Sequence, residues 1–213
     1  TTDRSSNNKY NIQCWLCVNV VIDGLRTFNA TTAGLRLIEC TGVTVRNGVF
    51  GDNQYWGIVT SHSDDVVLEN NECYGSILEH GIYVANSGDR PVVRGNRIHD
   101  NAASGLRSNG DVVQGGDGII TGALYENNVI YNNCTLGGAA MNLDGLQDGT
   151  IRNNLIYNNH ATGIAIFKGG GTEGPKGMRV LNNTIILPAD GRYNLRITDV
   201  IGALTVQIGR AHV

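Results

Sequence analysis

A small set of side chains near the middle of the chain could do chemistry together. Arg107 and Lys168 offer positive charge that could neutralise a carboxylate, or act as a base, beside Tyr83 or His80 as proton donor or acceptor. A cation, a base and an acid are the three needs of β-elimination next to a carboxylate. Asp111 and Asp144 form the alternative, a carboxylate pair for hydrolysis, with an inverting enzyme holding such a pair about 6.5–9.5 Å apart. Tyr83, Asn109, Asn142, His62 and Asn86 are the candidates for holding a substrate. Asp111, Asp117 and Asp144 could hold Ca²⁺, but no calcium-loop pattern accompanies them, so no metal or cofactor is expected. Each residue also has an ordinary reading. The two aspartates beside glycines suit turns, His80 and His62 suit bends, and Arg107 and Asn142 suit a strand exterior.

Two repeated elements must position these residues. One reads Gly-apolar-x-apolar, as in Gly57-Ile58-Val59-Thr60, Gly81-Ile82-Tyr83-Val84, Gly105-Leu106-Arg107-Ser108 and Gly163-Ile164-Ala165-Ile166; Ala140-Met141-Asn142-Leu143 is a variant and Asn194-Leu195-Arg196-Ile197 a degenerate last copy. The other reads apolar-charged-Asn-Asn, as in Leu68-Glu69-Asn70-Asn71 and Ile151-Arg152-Asn153-Asn154. It recurs at steps of 23, 25, 32, 26 and 29 residues from Arg46 onward. Both elements alternate with period two, the geometry of a strand, and no segment sustains a helical period. Strands recurring without crossover helices must stack coil on coil, with neighbours about 4.8 Å apart.

These phrases resemble the short repeat of the right-handed parallel β-helix proteins, the pectate-lyase-like superfamily, over residues 12 to 207. The resemblance implies an all-β solenoid of about seven to eight coils. It also implies a polysaccharide partner, an extracellular or cell-surface setting, and either a lyase or hydrolase acting on a uronate-containing polymer or a non-catalytic glycan-binding module. The aspartate-rich motifs of polygalacturonases and the Asp-Pro-His of alginate epimerases are absent. Ile58, Ile82, Leu106, Met141 and Ile164 should stack inward, with Val59, Tyr83, Arg107, Asn142 and Ala165 outward beside them. The next outward column should read Ser61, Ala85, Asn109, Asp144 and Phe167. Loops swell after this same strand in successive coils, so they should project from one side and flank the candidate site. The 109–123 loop is expected to roof Arg107, Asn142 and Asp144.

Other columns predict structure. Asp23, Arg46, Glu69, Arg94, Glu126 and Arg152 alternate in sign and should form a charge ladder. Tyr74, His99, Tyr131 and Tyr157 should stack as rings, and Asn71, Asn96, Asn128, Asn154 and Asn183 as an amide ladder. Cys17 and Cys40 should share a column with Ser63. A lone Cys14-x-x-Cys17 is weak grounds for redox or metal chemistry, and no disulfide framework is expected.

Across its 213 residues the chain carries a formal net charge of −3, which argues against a nucleic-acid partner. No apolar run approaches the roughly 20 residues of a membrane span. The final six residues, 208–213, are those encoded by a common sequencing-library adapter. They are read as a non-native tail on a β-helix domain of residues 1–207, and the chain as a fragment.

Overall fold

A computed structural model describes residues 9–207 and 210–212 of the chain. Each coil contributes three short strands, and equivalent strands of successive coils pair in parallel into three eight-stranded sheets. The first sheet runs Tyr10–Trp15, Ala33–Ile38, Trp56–Ser61, Ile82–Ala85, Leu106–Asn109, Ala139–Asp144, Thr162–Phe167 and Leu195–Ile197. Its register aligns Ile58, Ile82, Leu106, Met141 and Ile164 as one inward column, all fully buried. Apart from strands, the one helical turn among the described residues is the 3-10 turn Val112–Gln114.

The apolar-charged-Asn-Asn phrase contains a corner. Its first Asn takes the left-handed backbone at Asn70, Asn127, Asn153 and Asn182, and so ends the second-sheet strand. The second Asn turns inward and begins the approach to the third sheet. In the ladder it forms, the side-chain oxygen of Asn128 accepts the Asn96 backbone N–H at 3.0 Å while its amide donates to Val93 O at 2.9 Å. The same pattern links Asn71, Asn96, Asn154 and Asn183. A parallel ladder through Asn101, Asn133 and Asn159, not anticipated from the repeat, seals the next corner. Asn133, which sits in a glycosylation sequon, is thereby fully buried. The repeat's glycine is required where coils approach most closely. A Cβ on Gly57 would lie 2.6 Å from Gly81 O, and one on Gly81 2.5 Å from the Ile98 side chain.

On the second sheet the charge column resolves into three separate pairs, each arginine bonding the carboxylate of the preceding coil. Arg46 meets Asp23 at 2.9 Å, Arg94 meets Glu69 at 2.8 Å, and Arg152 meets Glu126 at 2.7 Å. Glu69 was expected between two arginines, but Arg46 is already satisfied by Asp23. A hydrogen bond from Asn47, joined by the one from Arg46, holds the Asp23 carboxyl below its ordinary range. On the third sheet Tyr74, His99, Tyr131 and Tyr157 stack within 9° of parallel, with centroids 4.7–5.3 Å apart. Their faces cover one another, and Tyr74 lies over Gly51, so the column offers edges and no open platform.

The Cys17, Cys40 and Ser63 column forms as expected, with the Cys40 N–H bonded to Ser63 Oγ at 3.0 Å. All five cysteines are free thiols. Of the six-residue tail, Ile208, Gly209 and Val213 lie outside the described residues; the strand Arg210–His212 pairs with Thr184–Ile186. Among the described residues no helix is long and apolar enough to cross a membrane.

Candidate functional site

Parallel register gives the outer face of the first sheet a single column of side chains. It runs Gln13, Arg36, Val59, Tyr83, Arg107, Asn142, Ala165 and Arg196. Two separate hollows open along the column. The first, of about 330 Å³, is lined by Trp56, Val59, Ser61, Tyr83, Asn86 and Asp111, among others. The second, of about 310 Å³, is lined by Asn142, Phe167, Lys168, Arg192, Tyr193 and Arg196, among others. Arg107 and Asn142 stand in the column where one hollow gives way to the other.

The residues around Tyr83 form a connected set. Its ring lies 5.6 Å from Trp56 and 5.4 Å edge-on from His80, and the Arg107 guanidinium sits 5.8 Å over it. Its hydroxyl accepts from Asn109 Nδ2 at 3.3 Å. Arg107 is half-buried and makes no ion pair within 4.0 Å among the described residues. His62 and Asn86 meet through a shared hydroxyl: Asn86 Nδ2 donates to Ser61 Oγ at 2.9 Å, and Ser61 Oγ lies 3.0 Å from His62 Nδ1. Asp111 lines the first hollow with a left-handed backbone, its N–H bonded to Asn109 Oδ1 at 3.1 Å. Lys168 is exposed at the second hollow.

Two candidates are placed otherwise than the sequence suggested. His80 is 6% exposed, beneath Tyr83. The Ser104 N–H donates to its Nδ1 at 3.1 Å, so the proton resides on Nε2, which meets the Glu79 carboxylate at 3.0 Å. Burial pushes the His80 pKa down, against the opposing pull of Glu79, and the bond from His80 holds Glu79 below its usual range. Both ring nitrogens are engaged inside the wall. Asp144, expected on the solvent face, is 1% exposed. Its alternation was read correctly, since it follows Asn142 on the same strand face. The 168–177 loop then folds over it, and its oxygens accept the N–H groups of Gly169 and Gly170, both at 2.6 Å. Ala85 and Asn109, in the same column, are buried as well.

The loops knit to one another. Val112 N donates to Gly170 O at 3.1 Å, Thr172 N to Gly118 O at 3.1 Å, and Thr172 Oγ1 to Asp117 O at 2.5 Å. They build one wall beside the column. Among the described residues no three His, Cys, Asp or Glu side chains are placed to hold a metal ion. Sequence reasoning missed Trp56, Arg36, Arg192, Tyr193 and Arg196. For Arg196 the signal was present, in the degenerate last copy of the repeat.

Residues 4–111 and 57–194 match the family described as right handed beta helix region. No curated protein sequence matches the chain. Among solved structures, the Azotobacter vinelandii mannuronan C-5 epimerase AlgE6 A-module aligns with a TM-score of 0.74 and 22% identity, covering 92% of this chain and 55% of that one. The AlgE4 A-module of the same organism gives 0.62 and 20%, covering 92% and 61%. DFA-IIIase from Arthrobacter chlorophenolicus A6, in complex with GF2, gives 0.55 and 13%, covering 79% and 40%. The chain thus spans little more than half of the two epimerase modules.

Proposed function

Because the chain belongs to the right-handed β-helix family, we propose that it is a carbohydrate-active protein that takes an acidic polysaccharide along the outer face of its first sheet. One observation carries this reading. Among the described residues Arg36, Arg107 and Arg196 on that face make no ion pair within 4.0 Å, and Arg107 acts on the Glu79 carboxylate only at longer range, whereas Arg46, Arg94 and Arg152 of the second-sheet column are each paired. The three unpaired guanidiniums recur every third coil, about 14 Å apart. Guanidinium groups bind carboxylates bidentately, which suits a chain of uronates. The likeness to mannuronan epimerases supports the fold; the substrate class rests on these residues.

Of the two chemistries, the arrangement favours proton abstraction beside a carboxylate. Arg107 neutralises the uronate carboxylate, and Tyr83, held by Asn109 and flanked by His80, transfers the proton. In elimination the base removes the C5 proton, the electron pair forms the C4–C5 double bond, and the glycosidic oxygen leaves with a proton. Asp144, one half of the carboxylate pair that hydrolysis would use, already accepts two loop amides. Asp144 instead anchors the loop that carries Lys168.

Incubation with a panel of uronate polysaccharides, read by absorbance of new double bonds, tests the lyase reading. Turnover lost in Arg107→Lys and Tyr83→Phe, with thermal stability kept, supports it; silence on every polymer removes it. A second reading, a non-catalytic extracellular glycan-binding module, draws on the sealed ring of His80. It requires acidic polymers to bind without new double bonds, and Tyr83→Phe to leave that affinity unchanged.

A further inference from the structure

The two hollows differ in chemistry, and the difference specifies the ligand beyond its being acidic. In the first, Arg36 is already engaged: its Nη1 donates to Gln13 Oε1 at 3.2 Å, and its guanidinium lies 4.7 Å over the Tyr10 ring. The other charge there is negative, Asp111. Its rings are Trp56 and Tyr83, tilted 48° to one another, with Tyr10 beneath Arg36, and the rest of its lining is uncharged. The indole N–H of Trp56 is buried without a hydrogen-bond partner. In the second hollow Lys168, Arg192 and Arg196 outnumber the single carboxylate of Asp199, and none of the three cations makes an ion pair within 4.0 Å among the described residues. Asn142 Oδ1, on its floor, is a buried acceptor without a partner.

We infer that this face reads a heteropolysaccharide, holding a neutral sugar over Trp56 and Tyr83 and an acidic sugar at Lys168, Arg192 and Arg196. This rests on the acidic-polysaccharide reading and narrows it. A carboxylate set over the first hollow would face the negative π faces of two rings and the charge of Asp111, and the one cation there, Arg36, is already held by Gln13 and the Tyr10 ring. A neutral pyranose sets its C–H face on the rings. At the other end a carboxylate gains a cationic pocket. From the Val59 rung to the Arg196 rung is five strand spacings, about 24 Å, so one ligand must be an oligosaccharide to reach both.

Binding calorimetry on the full chain with hexasaccharides of one backbone tests this. The probes are hexamannuronate, its fully carboxyl-reduced neutral counterpart, and the two block hexamers reduced in one half only. One block hexamer should bind about tenfold more tightly than hexamannuronate, and the opposite block should not. Trp56→Ala should bring the favoured block down to the affinity of hexamannuronate. Arg196→Gln should weaken the favoured block and hexamannuronate alike. If hexamannuronate binds as tightly as either block and Trp56→Ala is silent, the inference falls and the acidic-polysaccharide reading stands. If no uronate-bearing hexamer binds, both fall.

Discussion

The outer faces of the first and second sheets share one strand spacing and one parallel register, yet they treat charge in opposite ways. On the second sheet each arginine of the column bonds a carboxylate one coil away, and Glu126 in its pair is only 7% exposed. On the first sheet the arginines of the column stand beside Val59, Tyr83, Asn142 and Ala165, none of which can neutralise them. Stacking alone therefore does not dictate pairing; the residue type placed at each rung does. A face that closes its charges internally serves the solenoid. A face that leaves them open, lined by hollows, is suited to a partner from solution.

The sharpest way to break this contrast is to damage the corner and ask whether the first sheet's outer face notices. Asn128→Ala removes the acceptor of the Asn96 N–H and the donor to Val93 O. It should destabilise the fold by about 3 kcal/mol, and denaturant unfolding would measure this. Affinity for an acidic hexasaccharide should be unchanged wherever the variant is folded. Next in size, Arg107→Gln should reverse the pattern. Affinity should fall about tenfold, equivalent to about 1.4 kcal/mol, while the unfolding midpoint holds. A loss of stability as large as that of Asn128→Ala would make Arg107 structural. Glu126→Gln should lower stability by about 1 kcal/mol at low salt, with the difference shrinking in high salt and binding unaffected.

The smallest expected effect concerns the wall behind Tyr83. The folded His80 has a depressed pKa, so the unfolded chain binds the extra proton first as pH falls. The stability tied to its neutral ring is complete above about pH 6.5 and is lost as pH falls toward the folded value. Thermal melts should therefore show a decline below about pH 6.5 that is blunted in His80→Asn, whose side-chain oxygen can still accept the Ser104 N–H. Equal slopes would mean that the ring protonates freely.

How far these features were legible in the sequence follows from how often each is repeated. The inward column from Ile58 to Ile164 and the outward column through Tyr83, Arg107 and Asn142 could be read because each coil restates the same phrase. A slip by one residue would expose the core. Asp144 shows where that logic stops. Its face was legible, but its burial depends on how the 168–177 loop folds back, and that loop is held through Thr172 to Asp117, 55 residues away. Nothing periodic encodes such a contact. Trp56 escaped notice because it precedes the repeat's glycine, outside the phrase. Arg192 and Tyr193 lie in a connection between strands that no other coil reproduces.

The amide ladder also bears on how the chain ages. Asn47-Gly48 is the kind of sequence at which asparagine converts spontaneously to aspartate and isoaspartate, through attack of the following backbone nitrogen on the side-chain carbonyl. Here that nitrogen is bound, because the Gly48 N–H donates to Asn71 Oδ1 at 2.9 Å within the buried corner. The Asn47 side chain is turned away as well, its amide donating to Asp23 at 2.8 Å. Ring closure would require the corner to open first. The chemical lifetime of this surface asparagine is thus tied to the rate at which neighbouring coils separate, and its conversion over months of storage would report how often the solenoid opens locally.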